Sequence, residues 1–206
     1  WASYFRHAVD VIKCRRDPFE HPYNYYVLLE SEGNDPDMEE ERFQSALFEE
    51  LESGRIADAV ISRSTQDRQD FWAIRDSVGE ILRSLRHEAN FDIGIPLSET
   101  EGCIREIDTE LNRVFPGLFL LIFGHVGDGN LHLIATTGKP EDTRTIYDIV
   151  YRITGAHQGG IAAEHGIGML KKPWLHLSRS QEEIALMRTL KAAFDPNNIL
   201  NPGRVI

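Results

Sequence analysis

The sequence predicts an α+β fold in which an antiparallel sheet is covered by helices on one side. Two observations carry that expectation. Strand-like runs occur both singly between helical stretches and as an adjacent pair, "LFLLIF" followed by "NLHLIA", and the helical stretches show apolar residues at helical spacing. At 206 residues the chain can bury a sizeable core as one large domain or two small ones.

Taken in order, "YNYYVLLESEG" is rich in aromatic and branched residues and ends at Gly33, which predicts a strand over 23–30. "GNDPDMEEERFQSALFEELESG" reads as a helix with acids near its positive N-terminal end and Gly54 as its stop. "IADAVIS" reads as a second strand. Phe71, Ile74, Val78, Ile81, Leu82 and Leu85 then recur at helical spacing and predict one long amphipathic helix. Ser98-Glu99-Thr100-Glu101 has the pattern of a capping box and announces a helix over 99–114, ended by Phe115-Pro116-Gly117. A strand, a turn and a strand follow. Pro140 opens a helix to about 156, and "QEEIALMRTLKAAF" is the last helix, closed by Asp195-Pro196. Residues 90–97 carry no clear pattern.

Composition narrows the function classes. Hydrophobic content of 41% and charged content of 27% are those of a soluble globular protein, and no apolar run approaches the length of a spanning helix. A formal charge of −11 argues against general nucleic-acid binding, which draws on lysines and arginines against phosphates. Cys14 and Cys103 are too few and too far apart for a disulfide framework or a metal knuckle, so a cytoplasmic location is expected, with a peripheral place at an inner membrane allowed for. A chain opening with Trp1 and lacking a signal layout is expected to be a fragment.

The chemistry concentrates in two stretches. In "FGHVGDGNLHL", Asp128-Gly129 is a strong two-residue hairpin signal, and that register would set His125 directly opposite His132 with Cβ atoms about 5 Å apart. "GGIAAEHGIGMLK" sets Glu164 and His165 side by side among glycines, offering an anionic ligand and a titratable base. Two imidazoles and a carboxylate make a common catalytic metal arrangement. On spacing alone, a hairpin tip and a glycine-rich loop with solvated polar residues serve equally well. Neither "GDG" nor "GIG" completes a dinucleotide fingerprint, no P-loop is present, and no GxSxG or Cys-His layout supports a serine or thiol hydrolase.

"FGHVGDGNLHL", "AAEHGIGMLK" and "LKAAFDPNNILNPGRVI", in this order, resemble the C-terminal domain of FAD-linked oxidases of the vanillyl-alcohol-oxidase superfamily, in the group containing D-lactate, D-2-hydroxyglutarate and glycolate dehydrogenases. "YVLLESEG" and "FWAIRDSVGE" extend the likeness over most of the chain. The resemblance implies a ferredoxin-like cap domain over 1–206 that supplies the substrate site, with FAD held mainly by a separate N-terminal domain of the same polypeptide. It implies His125, His132 and Glu164 as ligands of a divalent metal, zinc in first place with iron and manganese as alternatives. It implies His165 as general base, Arg75 as the grip on the substrate carboxylate, and Asn201, with Glu164, as cofactor-binding. The implied reaction is oxidation of a small D-2-hydroxy acid to a 2-oxo acid with hydride transfer to FAD. The electron acceptor is open, and a homodimer is allowed for.

Two positions depart from the pattern of the hydroxyglutarate oxidisers. Asn90 stands where they have a lysine and Ile134 where they have an asparagine, which points to a substrate with a smaller or less charged tail, such as lactate. Two other readings stay open from the residues alone: a stand-alone hydrolase with a metal-bound water activated by Glu164 or His165, and a non-catalytic domain with a structural metal.

Overall fold

A computed structural model describes residues 1–206, the side chains of Pro36 and Asp37 excepted. The chain divides into two compact units, Trp1–Arg83 and Ser84–Ile206.

The first unit holds α1 (Ala2–Arg6), which continues as a π-helical turn, His7–Ile12, and then α2 (Pro36–Glu52), α3 (Thr65–Arg75) and α4 (Val78–Ser84), the last running to the boundary. Its core is Phe5, Ala8, Val9 and Ile74, flanked by Cys14, Phe19 and Tyr26. Helix α2 follows its expected course, with the Asp35 carboxylate accepting from the Met38 N–H and Gly54 in the left-handed region that stops it.

The two strands expected here do not form. Residues 23–30 and "IADAVIS" carry no strand, and Val27 and Leu29 are exposed. A strand needs a partner's backbone hydrogen bonds, and these residues are held by side chains instead. Tyr26 stacks on Phe5 at 3.7 Å, and the Glu30 carboxylate accepts from the Trp72 indole and the Arg68 guanidinium, each at 2.9 Å. The single long helix expected from Phe71 onward is two helices, broken at Asp76-Ser77. The Ser77 hydroxyl donates to the Ile74 carbonyl at 2.9 Å, and this local bond competes with the helical ladder.

The second unit runs β1 (Ala89–Gly94), α5 (Thr100–Val114), β2 (Phe119–His125), β3 (Asn130–Thr136), α6 (Thr143–Ala156) and α7 (Gln181–Phe194). Its sheet is antiparallel in the order β1-β3-β2. After α6 the chain returns to the free edge of β1, where Gly94 and Gly160 exchange both backbone bonds at 2.9 and 2.8 Å. The result is the βαββαβ succession of a ferredoxin-like unit with its fourth strand reduced to one bridge. The α+β expectation holds, and β1 is the strand that the sequence pattern did not announce.

Residues alternate across the sheet, so one face carries Phe91, Ile93, Leu131, Leu133 and Ala135 and the other carries Asp92, His125, Asn130 and His132. The first face packs on α6, with Phe91 5.0 Å from Tyr147 and 5.2 Å from Tyr151. Ile107 and Leu111 of α5 and Ile146, Val150 and Ile153 of α6 complete this core. The second face holds the polar cluster.

Helix α5 begins within one residue of expectation but without the expected cap. A 3-10 turn, Leu97–Glu99, leads into it, so Ser98 lies inside that turn and makes no cap bond. Glu101, the expected partner of Ser98, lies 3.7 Å from Arg105 one turn on, and Glu99 bonds to His157. A capping box is present at α7, between Ser180 and Glu183.

Candidate functional site

The hairpin between β2 and β3 sets the two histidines. Its loop is a four-residue one, a 3-10 turn at Val126–Asp128 followed by Gly129 at φ +71°, so His125 pairs with Asn130 and His132 with Phe123. The expected direct opposition of His125 and His132 is therefore corrected to a diagonal one. The loop is two residues longer than the Asp-Gly turn, and a shift of two keeps each side chain on its own face. The imidazole rings still meet, 5.6 Å apart at 83°. Gly129 is required twice over: its φ disfavours any side chain, and a Cβ there would stand 2.2 Å from the Ile95 carbonyl oxygen.

The glycine-rich segment after the bridge brings Glu164 to the same face. Its carboxylate lies 3.5 Å from His125 Nε2 and 3.9 Å from His132 Nε2. One donor atom from each of the three residues lies within 4.8 Å of the others. Two donors about 2.1 Å from a tetrahedral ion sit roughly 3.4 Å apart, so this set fits a divalent cation after small side-chain adjustment. His132 is 8% exposed, and burial lowers its pKa against the opposing pull of Asp92 and Glu164. A neutral imidazole is the form a metal binds.

His165 stacks on His132, rings 5.6 Å apart at 21°, with 66% of its side chain exposed on the open side of the cluster. Four of the residues named from the sequence are thus brought together. Asn201 lies at φ +48° in the closing turn of the same unit, where the Val205 N–H donates to the Gly168 carbonyl at 2.8 Å and ties the tail to the glycine-rich segment. Arg75 ends α3 in the first unit, 3.7 Å from the Asp76 carboxylate, with its carbonyl accepting from the Tyr4 hydroxyl.

Two residues of the cluster were missed. Asp92 is 1% exposed, and its carboxylate accepts the Glu164 and His165 N–H groups at 3.0 and 2.7 Å. Burial would raise its pKa, but the His165 and Glu164 N–H groups and the Lys171 ammonium outweigh burial and hold the carboxyl below the usual range. Lys171, also buried, has its ammonium 3.4 Å from this carboxylate. An aspartate inside the apolar run "NFDIGI" was the one available signal, because a buried charge demands a partner.

The chain matches the family described as FAD linked oxidases, C-terminal domain, over residues 2–205. The chain belongs to that family. This FAD-linked oxidase domain is 34% identical over 187 residues to a probable mitochondrial D-2-hydroxyglutarate dehydrogenase of Oryza sativa subsp. indica, covering 90% of this chain and 33% of the relative. It is 36% identical over 198 residues to a D-2-hydroxyglutarate dehydrogenase of Stutzerimonas stutzeri, covering 91% and 42%. A putative mitochondrial D-lactate dehydrogenase of Schizosaccharomyces pombe is 30% identical over 209 residues, covering 96% and 40%. The domain thus spans between a third and a little over two fifths of these relatives' own length.

Proposed function

We propose that the protein containing this domain oxidises a D-2-hydroxy acid to the 2-oxo acid, with metal assistance and with FAD as hydride acceptor. The observation that carries this reading is the convergence of His125, His132 and Glu164, with His165 against them, in a domain of the FAD-linked oxidase family. His125, His132 and Glu164 would hold a divalent cation, which would supply Lewis-acid polarisation to the bound hydroxy acid. FAD, held mainly by a separate domain, supplies the two-electron acceptor. His165, on the open side of the cluster, takes the hydroxyl proton at an imidazole nitrogen as the α-hydrogen departs with its electron pair. Asp92 and Lys171 lie buried beside the cluster, the ammonium 3.4 Å from the carboxylate. For Arg75 and Asn201 the assigned roles rest on the resemblance of "FWAIRD" and "NPG". The family match reaches into the closing "NPGRVI" stretch, to residue 205, and this supports the flavin reading over a hydrolase or a structural metal.

The substrate tail is read from β1 and β3. Asn90 and Ile134 are directly opposed on the sheet face that carries Asp92 and His132. Neither brings a cation to a second carboxylate, which favours a small tail such as that of D-lactate over a dicarboxylate. Anaerobic addition of D-lactate to the full-length protein should bleach its yellow flavin faster than D-2-hydroxyglutarate does. A protein that is colourless, or one not bleached by either acid, contradicts the reaction; equal rates with the two acids contradict only the tail.

A further inference from the structure

We propose that Asp92 is a positioning residue whose buried carboxylate fixes the 163–165 backbone and thereby aims Glu164 and His165; this rests on reading those two side chains as metal ligand and base. Strand β1 sets Asp92 opposite His132, beneath the cluster. Three consecutive backbone donors converge on it: Ala163 at 3.2 Å, Glu164 at 3.0 Å and His165 at 2.7 Å. Its own carbonyl also accepts from the Ala163 N–H, at 3.3 Å.

Asp92, His132 and His165 also bring donor atoms within 4.8 Å of one another, a second arrangement that could hold an ion. The Asp92 carboxylate is already taken. The Lys171 ammonium stands 3.4 Å away and opposes another cation beside it. The His132 and His165 imidazoles, 4.0 and 3.8 Å away, make no hydrogen bond to this carboxylate, so the backbone N–H groups and Lys171 are its hydrogen-bond partners. Asp92 therefore acts on the backbone rather than on the ion.

The need for such a hold follows from the segment itself. The Glu164 and His165 side chains are 48% and 66% exposed, and the segment belongs to no helix or strand. Glycines at 159, 160, 166 and 168 leave its backbone many alternatives in the absence of a fixed acceptor. A carboxylate meeting three successive N–H groups removes those alternatives, with the Lys171 ammonium 3.4 Å away as its counter-charge.

Backbone amide exchange over 160–171 and steady-state kinetics of the full-length protein test this. In the wild type the amides of 163–165 should exchange at least ~100-fold slower than unprotected amides, despite lying outside regular structure. Asp92→Asn should accelerate their exchange and lower kcat by about 10–100-fold, with KM for the hydroxy acid changed less than about threefold and FAD content unchanged. Asp92→Glu, with its carboxylate one methylene out of place, should not restore kcat. Unprotected wild-type amides overturn the proposal even where the Asn variant does not fold, as does an Asn variant with wild-type exchange and kcat. A wild type that holds no metal sinks the ligand assignment alone, since the exchange result decides the hold of Asp92.

Discussion

At the residue scale, the cluster shows which kinds of pairing a sequence discloses. His125 and His132 were legible because they flank a turn signal, and Glu164-His165 because they are adjacent. The turn type was misread, since Asp-Gly ends a four-residue loop rather than forming a two-residue one, yet the two-residue period of the sheet kept both imidazoles on one face. Lys171 left no local trace and Asp92 only its place inside an apolar run, because their contacts reach 71 to 79 positions along the chain. The same hairpin gives a residue-level prediction. Gly129→Ala forces a side chain into φ +71° and against the Ile95 carbonyl, and should lower stability by about 1–3 kcal/mol, read as a lower urea midpoint. A midpoint equal to wild type would mean that the loop adopts another turn.

At the element scale, α2, α5, α6 and α7 were legible because each combines apolar periodicity with a start or stop signal. The strands expected in the first unit failed for the opposite reason: branched and aromatic residues state a preference for extended chain and do not supply the partner that makes a strand. Helices α5 and α6 meet at a titratable joint. The His157 ring sits between two carboxylates of the α5 start and first turns, with Glu99 at 2.8 Å and Glu106 at 3.1 Å. Hydrogen bonds to Glu99 first and Glu106 second raise its pKa above the ordinary value of 6.5. A raised folded-state pKa means that the joint's contribution is full below about pH 6.5 and is lost as the pH climbs through the folded value. His157→Gln should therefore lower the urea midpoint more at about pH 5.5 than at about pH 8.5. An equal loss at both values would show that the ring acts by packing alone. Cys103, on the buried side of α5, is not a competing switch, because burial first and the nearby Glu106 and Glu99 next push its thiol up to about 12.

At the scale of the whole molecule, the ferredoxin-like succession in the second unit is consistent with membership of the FAD-linked oxidase family. No helix among the described residues is long and apolar enough to cross a membrane. The first unit was least legible, since its aromatic segments are organised by packing on α1 and α3 rather than by any period of their own. On the function proposed for the domain, one sheet face and one glycine-rich segment together hold a catalytic divalent cation. Elemental analysis of the purified full-length protein, beside a variant with His125→Ala and His132→Ala, tests it most directly. The wild type should retain about one equivalent of divalent metal per chain, and the double variant should retain none while keeping its FAD. Equal metal in the two proteins, or no metal in the wild type, would contradict the claim.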